Sequence, residues 1–179
     1  MSQEIFIWIR YLCKYTYINQ YFSKKNTMYL QRTKYLSQIL PYLGKPVIKV
    51  LTGMRRSGKS ILLEQIIQGQ RQEDILSLHR EWPEYHWILS DSELTPLLER
   101  AISAGKRIIC IDEVQLIHHW ERSVNAVYAK YRDIDIILTG SNSDLLSGEL
   151  ATLLSGRYIE FQVFPFSFSE YCEFHHISL

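Results

Sequence analysis

Apolar positions along the chain fall into two kinds of run, and the order of those runs predicts the architecture. In MYLQRTKYLSQILPYLGKP, from Met28, the residues Leu30, Tyr35, Leu36, Ile39 and Leu40 recur at helical spacing until Pro41, Gly44 and Pro46 break the pattern. VIKVL, Val47 to Leu51, is continuous and reads as a strand, and KSILLEQIIQ then places Ile61, Leu62, Gln65 and Ile66 as a helix would. Further on, DILSLH and YHWIL compete for one strand, and SELTPLLERAISAGK reads as a helix ended by Gly105, with Pro96 expected in its first turn. Ile108 to Ile111 is again a continuous apolar run. HHWERSVNAVYAKYRD carries a helical stripe of Trp120, Val124, Val127, Tyr128 and Tyr131, read as core, and IDIILTGSN is the next strand. DLLSGELATLLSG is helix-like with Gly156 as its cap, and YIEFQVF follows as a strand. Buried strands alternating with helices predict a three-layer α/β domain with a mainly parallel sheet.

Composition narrows the classes without choosing among them. The 179 residues are 46% hydrophobic, enough for one substantial core. Twenty Lys and Arg against nineteen Asp and Glu give a net charge of +1, so no global polyanion-binding surface is implied. Cys13, Cys110 and Cys172 are widely spaced and form no CxxC, which argues against a disulfide framework and a zinc site and fits a reducing cytoplasm. IFIWI near the start is too short for a membrane span and lacks the features of a signal peptide. The pairs His118 with His119 and His175 with His176 are adjacent, a spacing that does not converge on a metal from a helix. The first 27 residues are dense in Tyr and Ile with no clean period, and are read as an extension.

Three strand ends carry the candidate chemistry. After Val47 to Leu51, GMRRSGKS satisfies GxxxxGK[ST] through Gly53, Gly58, Lys59 and Ser60, in the order of strand, glycine loop and helix that a phosphate loop requires. Glycines allow backbone amides to turn inward around phosphate oxygens, and the helix start adds unsatisfied N–H groups and a favourable dipole. Lys59 is then placed to reach β and γ phosphates and Ser60 to ligate magnesium. Arg55 and Arg56 are open to two readings, phosphate contact or solvated loop charge. The run from Ile108 ends in Asp112 and Glu113: the first fits magnesium binding, the second polarisation of an attacking water. The IDIILTGSN strand ends in Thr139, Ser141 and Asn142, able to hydrogen-bond a γ phosphate or orient the water, while Ser and Asn also suit the cap of a following helix. Arg157, beside Gly156, is open to simple pairing with a helix C-terminus.

These strand ends together resemble the AAA+ superfamily of P-loop ATPases. More narrowly, LTGMRRSGKS, IDEVQ, ILTGSNSDLLSGELATLLSGR and FPFSFSEY resemble the prokaryotic AAA-type ATPases that carry an uncharacterised, nuclease-like second domain after the ATPase core. The resemblance covers roughly Met28 to Tyr171. It implies a P-loop sheet of order 5-1-4-3-2, ATP and Mg2+ as ligands, and a nucleotide lined by Gly53, Met54, Arg55, Arg56, Ser57, Gly58, Lys59, Ser60 and Ile61. It implies Ser141 and Asn142 as the sensor after the fourth strand, with Ser60 and Asp112 as metal ligands and Glu113 and Lys59 as catalytic residues. Arg157 becomes an arginine finger acting on a neighbouring copy, hence a homo-oligomer.

The expected organisation is therefore an extension over 1–27, an AAA+ core over 28–171 without its helical lid, and the truncated start of a C-terminal region over 172–179. The expected activity is Mg-dependent ATP hydrolysis coupled to conformational change in a partner or C-terminal domain. Two other classes compete: a nucleotide-binding module without turnover, and a P-loop small-molecule kinase. A GTPase is disfavoured, since no NKxD-type motif occurs. A protein or DNA partner is left unspecified, and no membrane is expected.

Overall fold

The structure, a computed structural model, describes residues 29–141 and 153–177. Asn142, most of the helix expected over DLLSGELATLLSG, and the extension over 1–27 lie outside those residues. The chain divides into two compact units, one spanning Arg32–Phe168. The described residues of the other, 29–31 and 169–177, include most of a short helix, Phe168–Phe174, in which Cys172 is buried.

The larger unit is built on five strands: β1 (Ile48–Thr52), β2 (Ile75–His79), β3 (Ile108–Asp112), β4 (Asp135–Gly140) and β5 (Tyr158–Gln162). They form one sheet, β2-β3-β4-β1-β5, with every neighbouring pair parallel. Read from the other edge, this is the order 5-1-4-3-2. β1 to β4 are buried along almost their whole length, which is why they appear in the sequence as mainly apolar runs, interrupted only by Lys49 in β1 and Ser77 in β2 before their polar ends.

Among the described residues, four helices cover the sheet: α1 (Thr33–Ile39), α2 (Lys59–Ile67), α3 (Asp91–Ser103) and α4 (Trp120–Lys130). Strand alternation separates two cores. Ile48, Val50, Ile109, Ile111, Ile136 and Leu138 face Leu94 and Leu98 of α3 and Val124 and Val127 of α4. Leu51, Cys110 and Ile137 face Leu36 and Ile39 of α1 and Leu62, Leu63 and Ile66 of α2. The domain is thus the expected three-layer α/β sandwich.

Of the two candidates for the second strand, DILSLH supplies β2, while YHWIL begins inside a 3-10 turn, Pro83–Tyr85. Pro96 corrects one expectation, because α3 begins earlier than its proline suggests. Ser90 caps the helix: its hydroxyl accepts from Ser92 N, and Glu93 returns a carboxylate to Ser90 N at 2.9 Å. Pro96 consequently lies beyond the first turn, where it leaves the Ser92 carbonyl without its usual i+4 donor. At the other end Gly105, at φ +96°, closes the helix as expected, with Gly105 N on Ile102 O and Lys106 N on Ala101 O.

Candidate functional site

β1 runs straight into the glycine loop. Val163 N donates to Thr52 O at 2.7 Å, which draws the chain leaving β5 against the loop's first residue. A Cβ on Gly53 would stand 2.2 Å from Val163 O, and the local φ is +155°, so only glycine fits. Gly58, at φ +91°, is the N-cap of α2 and offers no side chain to the first turn. The helix therefore starts with N–H groups that no cap side chain occupies.

Lys59 and Ser60 open α2 on that side. The Lys59 ammonium is 4% exposed and donates to the carbonyls of Gly53 and Met54, both at 3.1 Å, with Glu113 Oε1 at 3.8 Å. Ser60 Oγ donates to Asp112 Oδ1 at 3.1 Å. One hydroxyl and one carboxylate oxygen, supplied by different elements, thus meet beside the loop.

Asp112 ends β3 and is held on both oxygens. Oδ1 also accepts from Thr139 Oγ1, whose oxygen in turn accepts from Glu113 N at 3.0 Å. Oδ2 faces His79 Nδ1 at 3.4 Å. His79 ends β2 opposite Asp112 in the strand register, shares Ser77 Oγ at 3.1 Å, and stacks on Trp82 with ring centroids 4.1 Å apart. Burial pushes the Asp112 carboxyl up, but the hydrogen bonds from His79, Thr139 and Ser60 outweigh it and hold the group below the ordinary aspartate value. Asp112 is thus kept ionised. Glu64, one turn beyond Ser60, goes the other way: burial raises its carboxyl, opposed by His79 and reinforced by the charge of Asp112.

Glu113 sits at φ +53°, a left-handed conformation that turns its side chain out of the strand direction toward Lys59. Gln115 Nε2 donates to its Oε2. Gly53, Ser57, Gly58, Lys59, Ser60, Asp112 and Glu113 are therefore gathered at the carboxyl edge of β1 and β3. Thr139 is there too, facing inward: its fully buried hydroxyl donates to Asp112 Oδ1 and accepts from Glu113 N.

The remaining candidates differ in exposure and in position. Met54, Arg55 and Arg56 are exposed, and Arg55 Nη2 lies 3.5 Å from Oε1 of the exposed Glu81. Ile61 is half-buried on α2, and Ser141 follows β4 at the same carboxyl edge. Arg157 is at the opposite edge of the sheet: its carbonyl accepts from Ile48 N at the start of β1, and its guanidinium donates to Asn125 Oδ1 and lies 5.8 Å from the Tyr128 ring. The length of β5, roughly 16 Å, separates it from this chain's own loop.

His79, Gln115 and Arg32 escaped the sequence reading. His79 could have been found by asking what ends the strand beside β3. Arg32 has no such signal: its guanidinium reaches Ser57 O and Phe164 O, far from it in sequence.

Comparison with known proteins adds four observations. A family model described as "AAA domain" matches residues 45–172. An uncharacterized protein of Haemophilus influenzae is 42% identical over 149 residues, 79% of this chain and 37% of that protein. Another, from Methanocaldococcus jannaschii, is 35% identical over 128 residues, 71% of this chain and 28% of that one. The chain spans well under half the length of these curated relatives. Among solved structures, the Pif1 helicase from Candida albicans superposes with a TM-score of 0.52 at 15% identity, over 75% of this chain and 40% of that one, a likeness of fold.

Proposed function

The chain belongs to the AAA-domain family, and on that premise we propose that its carboxyl-edge site binds ATP with magnesium and hydrolyses it. The observation that carries this reading is the meeting of Lys59, Ser60, Asp112 and Glu113 at the ends of β1 and β3, with Ser60 Oγ 3.1 Å from Asp112 Oδ1.

Those two oxygens are hard donors of the kind Mg2+ prefers, and Asp112 is held ionised for the purpose. When bound there, magnesium would supply charge neutralisation across the β and γ phosphates. The amides of the glycine loop and of the α2 start would hold the phosphate oxygens, Gly53 to Ile61 lining them. Lys59, exchanging the loop carbonyls for phosphate oxygens, would stabilise charge that develops on the transferred group. Glu113 would align and polarise the attacking water, and Thr139 would fix Glu113 by holding its amide. Ser141 and Asn142 would sense the γ phosphate from the end of β4.

Arg157 enters only across copies, because it lies at the far edge of its own sheet. It would have to leave Asn125 to reach a neighbour's nucleotide, which makes a homo-oligomer part of the proposal. In this scheme residues 28–171 are the ATPase core, 1–27 an extension and 172–179 the beginning of a C-terminal region to which hydrolysis is coupled. The free, buried thiols of Cys110 and Cys172 fit a reducing cytoplasm.

The deciding experiment is steady-state ATP hydrolysis with magnesium, wild type beside Glu113→Gln, across a range of protein concentrations. Glu113→Gln is expected to lose about 10²- to 10⁴-fold in rate while still binding ATP. A wild-type rate per molecule that rises with concentration supports the role of Arg157. Nucleotide binding with a wild-type rate no higher than that of Glu113→Gln would overturn hydrolysis and leave a binding module. Transfer of phosphate to an organic acceptor would favour a kinase.

A further inference from the structure

Arg32 is a cation held behind the glycine loop. It is 2% exposed, immediately before α1, and it joins three stretches of chain. Nη1 donates to Ser57 O and Nη2 to Phe164 O, both at 3.0 Å. The rings of Tyr35 and Phe166 lie 4.5 and 5.3 Å from the guanidinium carbon. Tyr35 also accepts from Phe164 N at 3.1 Å, so Phe164 is held through both its backbone groups. A Cβ on Gly58 would be 3.6 Å from Nη1, which sets how near the guanidinium comes to the α2 start.

The Ser57 contact has a stereochemical consequence. In a trans peptide the C=O and the next N–H point in opposite directions, and the described chain has no cis bond. Fixing Ser57 O on Arg32 therefore aims Gly58 N–H away from Arg32. A loop whose amides must converge on an anion gains from having that peptide plane set beforehand. The same guanidinium sets Phe164 O, and its planar fork makes both contacts at once, which a lysine's single ammonium cannot match in geometry.

We propose that Arg32 is a positioning residue that locks the Ser57–Gly58 peptide of the phosphate loop to residues 163–166, so that nucleotide binding and the conformation of that segment are coupled. The coupling is reciprocal: whatever moves 163–166 changes nucleotide affinity by the same factor. This rests on the ATP reading above.

Binding of a slowly hydrolysed ATP analogue with magnesium, together with amide hydrogen exchange at 163–166 with and without it, tests the proposal in wild type and Arg32→Lys. In the wild type the analogue is expected to slow exchange at 163–166. Arg32→Lys is expected to bind about tenfold more weakly and to lose that response, the scale of one hydrogen bond to a charged group. A purely structural arginine would instead lower stability without nucleotide and keep the response. Wild-type binding that Arg32→Lys matches in affinity and in exchange response would overturn the coupling alone. A wild type that binds no analogue would overturn the ATP reading and the coupling with it. If Arg32→Lys does not fold, the wild type still decides: slowed exchange at 163–166 supports the coupling, and unchanged exchange with analogue bound overturns it.

Discussion

The two edges of the sheet each hold a buried lysine facing a carboxylate, and they hold them differently. At the amino edge, Lys49 of β1 is fully buried, paired with Asp135 Oδ1 and donating to Lys45 O at 3.1 Å, while Asp135 Oδ2 takes Gly44 N at 2.7 Å. At the carboxyl edge, Lys59 is almost as buried, but it leans on two loop carbonyls and stands 3.8 Å from Glu113. Among the described residues, Asp112 is bound by hydroxyls and an imidazole and by no lysine. A short ion pair closed by backbone partners belongs to the structure. A charge resting on neutral, exchangeable partners can be offered to a ligand.

The sharpest way to break this contrast is to remove each ammonium. Lys49→Met is expected to cost about 3–5 kcal/mol by denaturant unfolding, because Asp135 is left buried and uncompensated. Lys59→Met should unfold within about 1 kcal/mol of wild type yet lose roughly 10²- to 10³-fold in ATP hydrolysis. Equal effects on stability would erase the distinction between the edges. Next in size, Gly53→Ala drives a methyl toward Val163 O and should destabilise by about 2–3 kcal/mol, whereas Gly44→Ala, with open space around its Cβ but a φ of +69°, should cost less. A smaller effect is expected for Thr139→Val, about 1–2 kcal/mol, since it strips a partner from both Asp112 and Glu113 N.

The smallest effects concern acid. Asp112 is held below its ordinary value, so its contribution is present above pH 3.8 and is lost as pH falls through the lower, folded value. Asp112→Asn should flatten that acid limb in thermal melts. Glu64 has the opposite sign: its raised carboxyl, facing His79 and Asp112, makes stability fall as pH rises above 4.5 through the folded value. Glu64→Gln should therefore raise the unfolding midpoint at pH 7, by about 1–3 °C, with the gain shrinking in acid. A drop at pH 7 would contradict it.

These edges were unequally legible in the sequence. The strands announce themselves because a parallel strand covered on both faces is mainly apolar, and Gly53, Gly58, Lys59, Asp112 and Glu113 mark their ends by abrupt changes of residue type. Strand order adds no local signal, since it depends on which runs pair, and it came from resemblance to a family. The inward commitment of Thr139, the stacking of His79 on Trp82 and the reach of Arg32 to Ser57 and Phe164 are contacts between segments distant along the chain. Lys49 reads as an ordinary strand residue, and only the fold shows that it meets Asp135. Pro96 misled for a related reason: a strong cap at Ser90 overrode the preference of proline for a helix start.

Cys110 lies at the middle of β3, flanked in register by Ser77 and Ile137, with no exposed surface and a thiol pushed far up by burial. Such a thiol is closed to alkylating reagents while the sheet is intact, so its rate of labelling is a clock for opening of the core. A ligand that binds only the closed form slows that clock by the factor 1 + [L]/Kd when reclosing outpaces labelling. One buried cysteine, two residues before Asp112 on the strand that ends at the site, would thus report on nucleotide affinity without any turnover being measured.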